Sequence, residues 1–566
     1  MKLNISGKEI IARPGCSILD MVKELGLYTE KLSSTPLVCK IAGDVFNLNY
    51  IPLRVSDVQS EKETVRAAMA ASDGKIRLLY YSDAAGKEAY KRTAQFVLFL
   101  SLYRLWPDAK VRMNCTVGEG LHISVIHKDF SVEKIKAAVA DTVKEDIPLK
   151  RKRITTKEAI EYYTKEGHDD KARLLYYRKC PNFDVYEYNG FRDYYYGETA
   201  PSTGYLRVWD IIEAEEGFMF IFPDGKKPDR VAKFSQSPGF FNVYREGKQW
   251  GQLMECETVA DLNGLVDTGR IRELIRVNEA LHEKHFSKIA DMIKEGGKKA
   301  VLLAGPSSSG KTTSANRLAT QIRVHGMKPE LISLDDYYID RDKILPDKDG
   351  KIDLEHINTI DTELFGRHLK LLLQGKPVEI PYFDFKCGRR AWHGKIISPG
   401  EKTVFIIEGL HALNPCLLPS DLSEELIFKL YVSPLIPLNL DDHNRIPCSY
   451  LRLLRRIVRD YETRGASVQR TLDMWDSVRQ GEEKWIFPYQ ENADVIFNSS
   501  TLYELAVLKK HIFPLLLAIQ PQDECYDEVR SLVKVLNFIH EADVDDEIPP
   551  TSLVREFIGG NTFYKK

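Results

Sequence analysis

The chain is poor in the features that mark secreted, zinc-bound or membrane-spanning proteins. Only nine of its 566 residues are cysteine. They are scattered, with no Cys-x-x-Cys pair and no Cys/His block, which excludes a disulfide framework and a structural zinc site as organising devices. No run approaches the roughly 18 apolar residues that a membrane helix needs. The opening MKLNISGKEIIARPG lacks the apolar stretch of a signal peptide, so a cytoplasmic location is expected, with no membrane contact. An excess of one charge is missing too: 80 Lys and Arg stand against 82 Asp and Glu, a net charge of −2. Bulk electrostatics therefore make no case for nucleic acid or a lipid surface. There are no internal repeats and no low-complexity segments.

What is present is length and segmentation. At roughly 100–200 residues per domain, several domains are expected. Residues 1–62 have a small β-grasp layout: a hairpin with Gly7 at its turn, a helix in SILDMVKELG capped by Ser17 and stopped by Gly26, then two strands in VCKIAGDVFNLN. Residues 63–210 form an α+β unit, with a helix over Thr93–Leu105, strands around Lys110–Val125, a helix from Val132 to Thr142 and an aromatic β stretch from Tyr186 to Tyr205. Residues 211–297 are connecting strands, with turns at PDGKKPDR and SQSPGF, followed by a long helix from Asp267 to Glu295 that ends at Gly296-Gly297. Residues 298–500 carry the chemistry. Residues 501–566 read as helical, interrupted at Pro514 and at Pro549-Pro550.

The chemistry begins at KKAVLLAGPSSSGKTTSANRLATQI: apolar strand, Gly-rich turn, helix. The turn fits G-x-x-x-x-G-K-[ST] through Gly305, Gly310, Lys311 and Thr312. Glycines let the backbone curl so that N–H groups of Gly305, Pro306's successors Ser307, Ser308 and Ser309, and Gly310 converge on phosphate oxygens. The helix beginning near Lys311 adds its positive end, at Thr312 and Thr313. Lys311 is expected on the β/γ-phosphates and Thr312 on Mg²⁺, so ATP and Mg²⁺ are the expected cofactors.

Downstream, LISLDDYY ends a short strand in Asp335 and Asp336, and a carboxylate there can accept a proton from an attacking hydroxyl. TVFIIEG ends a buried strand in Glu408, an acid placed to hold Mg²⁺. Arg452, Arg455, Arg456 and Arg459 follow helical spacing, and Arg464-Gly465 closes the pattern. They suit a mobile lid over phosphates, or else a solvated helix face balanced by Asp460, Glu462 and Asp473.

The order GPSSSGKTT, SLDDYY, LEHINTID, IPYFDF, IIEGLHAL, RRIVRDYETRG resembles the uridine kinase/phosphoribulokinase family over about residues 298–500. The resemblance implies a P-loop kinase fold with a parallel sheet and a helical lid. It implies transfer of the ATP γ-phosphoryl group to a sugar hydroxyl of a small-molecule acceptor. By it Asp335 is the general base beside Lys311, and Arg456, Arg459 and Arg464 join the loop in binding ATP. Asp336, Tyr338, Glu355, Tyr382, Phe383 and Arg390 fall at acceptor positions. Gly388 and Ala466 replace a His and an Arg that contact substrate in uridine kinases, and 475–500 departs from the short uridine kinases.

Residues 1–62 resemble the TGS domain of threonyl-tRNA synthetases. RLWPDAK and DYYYGETAPSTG resemble the editing domain that follows it. Aligned so, its four polar active positions are Phe96, Leu100, Tyr195 and Thr199, which implies that the hydrolytic chemistry is gone. His122 reads as structural. The run Lys150-Arg151-Lys152-Arg153 is a solvated surface or an RNA contact. The expected architecture is thus multidomain α/β, and the chain is expected to be a nucleoside-type kinase. The alternatives are a sugar-phosphate kinase of phosphoribulokinase type and an RNA- or ribosome-associated ATP-binding factor. A homo-oligomer is compatible with either class.

Overall fold

The structure is a computed structural model. It describes residues 2–563 except 14, 42, 53–73, 179, 345–352, 354 and 521. The chain folds as several α/β units, the last of them built on a parallel sheet.

The first sheet runs in the order Lys8–Ile11, Lys2–Ile5, Lys75–Leu79, Val38–Ile41, Asp44–Asn47. The helix Ile18–Glu24 packs its Ile18, Met21 and Val22 on that sheet. Ser17 caps it, accepting the Asp20 amide at 3.1 Å. The central strand comes from Lys75–Leu79, beyond the expected unit end at 62, a boundary that itself lies outside the described residues. KIRLL alternates buried and exposed side chains, and its pairing with Lys2–Ile5 is parallel, a long-range partner that local turn signals do not announce.

The second unit packs the helix Ala84–Leu105 on a sheet ordered Asp210–Ala214, Gly217–Ile221, Gly120–Ile126, Lys110–Val117. Strands expected to belong to a connector are therefore part of this sheet. SQSPGF, expected as a turn, begins the helix Pro238–Leu253, with proline in its first turn, where the missing N–H costs nothing. Pro514 does not interrupt its helix either: Glu504–Leu517 runs through it.

The last unit has five strands, all parallel, in the order Lys328–Ser333, Thr403–Glu408, Ala300–Ala304, Ile427–Ser433, Val495–Asn498. AVLLA is wholly buried and TVFIIE nearly so, as expected for strands covered on both faces. The C-terminal edges of Ala300–Ala304 and Thr403–Glu408 lie side by side, Leu303 opposite Glu408. This is where a doubly wound sheet opens its ligand crevice.

A hairpin of this unit, Asn439–Asp441 with Asn444–Arg445, plugs into the second unit. Asn439 donates to the Met113 carbonyl at 2.7 Å, and the His443 ring stacks on Phe99 at 3.8 Å and 8°. Lys171, Asp193 and His443 form a buried charged cluster: His443 Nδ1 lies 2.7 Å from Asp193 and 2.9 Å from Lys171 Nζ. Burial alone would raise the Asp193 pKa, but Lys171 and His443 outweigh it and hold that carboxyl below its ordinary range.

Candidate active site

Gly305 follows the central strand where any side chain is impossible: a Cβ there would meet the Val432 carbonyl oxygen at 2.1 Å. Gly310 sits at φ +87°, the left-handed turn that launches the helix Lys311–Val324. Lys311 Nζ reaches back to the Pro306 carbonyl at 3.1 Å. The Ser308 and Ser309 hydroxyls are buried and have no hydrogen-bond partner among the described residues. A loop with orphaned donors around a lysine and a helix N-terminus fits a polyphosphate.

The acids stand at neighbouring strand ends. Ser333 pairs in register with Glu408 and donates its hydroxyl to Glu408 Oε1 at 3.3 Å. The same hydroxyl accepts the Asp335 amide at 3.3 Å, fixing the short turn Leu334–Tyr337. Burial raises the Asp335 pKa, opposed by Lys311 and Arg464. Burial, then the Asp335 charge, pushes Glu408 up to about 7. Lys311 is lowered, chiefly by burial, although Glu408, Asp335 and Glu556 act the other way. Two carboxylates and one lysine thus share a crevice that a divalent cation and phosphates would rebalance. Thr312 and Glu408 suit a magnesium ion, which takes few protein ligands and keeps water and phosphate oxygens. No group of three or more His, Cys, Asp or Glu that could cage a metal occurs among the described residues.

Glu355 joins this crevice: burial first, then the Glu482 charge, push it up to about 7, while Arg456 and Lys311 oppose. Tyr338 lies among Asp335, Glu355 and Glu408, and burial with those charges drives its phenol well above the ordinary range. Its ring packs on Phe383, centroids 5.5 Å apart. Asp336 accepts the Phe383 amide at 3.4 Å. Strand alternation buries Phe383 and turns Tyr382 outward, 48% exposed, against His393. Arg390 pairs with Asp361 at 2.9 Å. Gly388 sits at φ +67°, in the left-handed region that favours glycine. Ala466 follows the left-handed cap Gly465 and bonds its amide to the Asp460 carbonyl at 3.0 Å.

The arginine helix Cys448–Arg464 corrects two expectations. It is neither a solvated face nor a free lid for most of its length: residues 451–458 are buried. Arg456 donates to the Ser307 hydroxyl at 2.9 Å and pairs with Asp460 at 3.3 Å. Arg459 pairs with Asp460 at 2.8 Å, and only Arg464, 3.5 Å from the same acid, is 60% exposed.

The loop also rests on supports that no local motif announces. Arg452 donates to the Ser307 carbonyl at 3.1 Å and to Glu482 Oε2 at 2.7 Å. Arg455, fully buried, donates to the Ser499 carbonyl at 2.8 Å, to Glu504 at 2.7 Å and to the Ser308 carbonyl at 3.3 Å. Helical spacing flagged both arginines. Nothing local flags Glu482 or Glu504, whose partners are distant in sequence.

In the second unit, Phe96 and Thr199 are buried in apolar and backbone contacts, and Leu100 is in the same core. His122 has both ring nitrogens engaged, 3.1 Å from Asn114 and 2.9 Å from the Glu215 carbonyl. Of the basic run, Arg151 faces Glu198 at 3.2 Å, Lys152 faces Glu187 at 2.9 Å and Arg153 faces Asp184 at 2.9 Å. No helix among the described residues is long and apolar enough to cross a membrane.

A phosphate loop at the crevice of a parallel sheet, with carboxylates at adjacent strand ends, defines a P-loop phosphotransferase. Residues 301–506 match the profile of the phosphoribulokinase/uridine kinase family. Uridine kinase of Macrococcus caseolyticus is 33% identical over 195 residues, 34% of this chain and 84% of its own. That of Ligilactobacillus salivarius is 33% identical over 195 residues, 34% of this chain and 82% of its own. A solved structure, titled as a possible uridine kinase from Bacillus stearothermophilus, shares 17% identity over 38% of this chain and 97% of its own, at a TM-score of 0.27. The chain belongs to the phosphoribulokinase/uridine kinase family through this part, and it is a kinase.

Proposed function

We propose that this kinase transfers the ATP γ-phosphoryl group to a hydroxyl of a neutral, sugar-bearing acceptor of the nucleoside class. The observation that carries it is Asp335, a half-buried carboxylate fixed at a strand end within electrostatic range of Lys311 and Glu408. Lys311 and the loop amides hold the donor phosphates. Thr312 and Glu408 would hold Mg²⁺, which would supply charge neutralisation during the transfer. Asp335 takes the proton from the attacking acceptor hydroxyl. The Ser307 contact of Arg456 supports a donor-binding role for its guanidinium, with Arg459 and Arg464 following on the same helix.

The acceptor side favours a neutral ligand over a sugar phosphate. Arg390 is paired with Asp361, and Arg456, Arg459 and Arg464 belong to the donor side. Glu355 brings a carboxyl to the same crevice, suited to hydrogen bonding with ribose hydroxyls. Tyr338 and Phe383 supply an aromatic wall beside it. The N-terminal units, read as TGS-like and as a degenerate editing-like domain, serve as scaffold, since the aligned positions Phe96, Leu100, Tyr195 and Thr199 hold no catalytic set. The RNA-associated alternative gains no support from the basic run, in which Arg151, Lys152 and Arg153 each face a carboxylate.

The test is ADP release from MgATP with nucleosides in one panel and sugar phosphates in another. Turnover with a nucleoside supports the proposal. Turnover only with a sugar phosphate overturns the acceptor assignment.

A further inference from the structure

The C-terminal segment reaches into the phosphate site. Glu556 Oε2 accepts the backbone N–H of Thr313 at 3.2 Å and its hydroxyl at 2.6 Å. Thr313 lies in the first turn of the P-loop helix, where N–H groups are the natural ligands of a bound anion. Asn561 Nδ2 approaches the same hydroxyl at 3.4 Å. Leu553 lies against Gly310, 3.2 Å from where a Cβ would stand. Phe557, between them, packs under the Arg455 guanidinium at 4.8 Å. The tail is therefore seated around the start of this helix by several independent contacts.

The charge of Glu556 is felt inside the cradle. It acts to raise both Lys311 and Glu408, so it lies within electrostatic range of the two groups expected to face phosphate and metal. A carboxylate and a phosphate oxygen cannot both take the Thr313 N–H, and two anions at that separation repel in a partly buried site.

We propose that Glu556 is an internal competitor for the nucleotide's phosphate chain. It sets ATP affinity, and nucleotide binding loosens the segment 553–561 from the P-loop helix. The rival account makes Glu556 a simple helix cap, whose loss would weaken the loop and therefore nucleotide binding. The proposal rests on the ATP-binding role of residues 305–313.

The experiment is equilibrium binding of ATP and of adenosine to the full chain and to Glu556→Gln, Glu556→Ala and Lys311→Ala. Gln keeps the size and the hydrogen-bond acceptor, so it isolates the charge. The expected result is ATP binding about three- to tenfold tighter in Glu556→Gln, with adenosine binding unchanged. Hydrogen exchange in 553–561 is expected to speed up when ATP is added to the unsubstituted protein. Equal or weaker ATP binding by Glu556→Gln overturns the proposal, and so does unchanged or slower exchange on adding ATP. Glu556→Ala is expected to match Gln, and weaker binding in both favours the cap. Failure of the unsubstituted chain to bind ATP at all, with Lys311→Ala indistinguishable from it, defeats the ATP reading itself and the proposal with it.

Discussion

Glu482 accepts the Ser307 amide at 2.9 Å on one carboxylate oxygen and the Arg452 guanidinium at 2.7 Å on the other. The P-loop is thus held from outside by an ion pair that is itself buried. Arg452 also donates to the Ser307 carbonyl, so one residue of the loop is gripped at both its N–H and its C=O. Breaking a buried pair by removing one partner leaves an uncompensated charge.

Glu482→Ala is therefore expected to lower unfolding stability by about 3–5 kcal/mol and to raise KM for ATP. Chemical denaturation together with ATP-dependent kinetics measures both. A change within about 0.5 kcal/mol, the range of ordinary surface substitutions, contradicts the support role.

Lys311→Ala removes the cation that faces Asp335 and Glu408 in the crevice. Loss of ATP turnover is expected, by about 10²-fold or more, as for other groups that stabilise developing charge. Circular dichroism is expected to show the fold retained, because the Lys311 ammonium hydrogen-bonds a loop carbonyl and anchors no other element among the described residues.

Glu355 gives the apo protein a pH dependence. Its carboxyl is raised from 4.5 to about 7, by burial first and by Glu482 second. Between those values the folded chain keeps a proton that the unfolded chain has lost, so stability falls as pH rises through that window. The contribution is full below the unfolded value and gone above the folded one. Glu355→Gln should flatten this part of the profile. Tm measured without nucleotide from about pH 5 to about pH 8 tests it, and parallel curves for the two proteins would contradict it.

His443→Ala removes the stacked ring and leaves Asp193 and Lys171 with one partner fewer at the junction of the units. A loss of about 2–4 kcal/mol is expected, from the opened cavity and the weakened buried cluster. Denaturant unfolding monitored by two probes would show it. A variant as stable as the parent would mean that the plug contributes nothing.

The donor side of the site was legible in sequence because its parts are local. The P-loop lies within one strand–turn–helix, and Asp335 and Glu408 each close a short apolar strand. The arginine helix was legible by its spacing, but its burial was not. That burial depends on Glu482 and Glu504, which lie on later elements and meet Arg452 and Arg455 only in the folded state. Glu556 was invisible for the same reason, being 243 residues from Thr313. In the first sheet, the parallel partner Lys75–Leu79 likewise escaped because parallel pairing needs a distant crossover. At the acceptor positions, Phe383 and Tyr382 were adjacent candidates, and only strand alternation sorts the buried ring from the exposed one.

Phosphoryl transfer to an acceptor hydroxyl with Asp335 as base is the reaction proposed for this chain. It is tested most directly by acceptor-dependent ADP release from MgATP, comparing the unsubstituted chain with Asp335→Asn. The predicted result is nucleoside-stimulated turnover that falls by about 10²–10⁴-fold in kcat in the variant, with ATP binding retained. Full acceptor-dependent turnover by Asp335→Asn would contradict it.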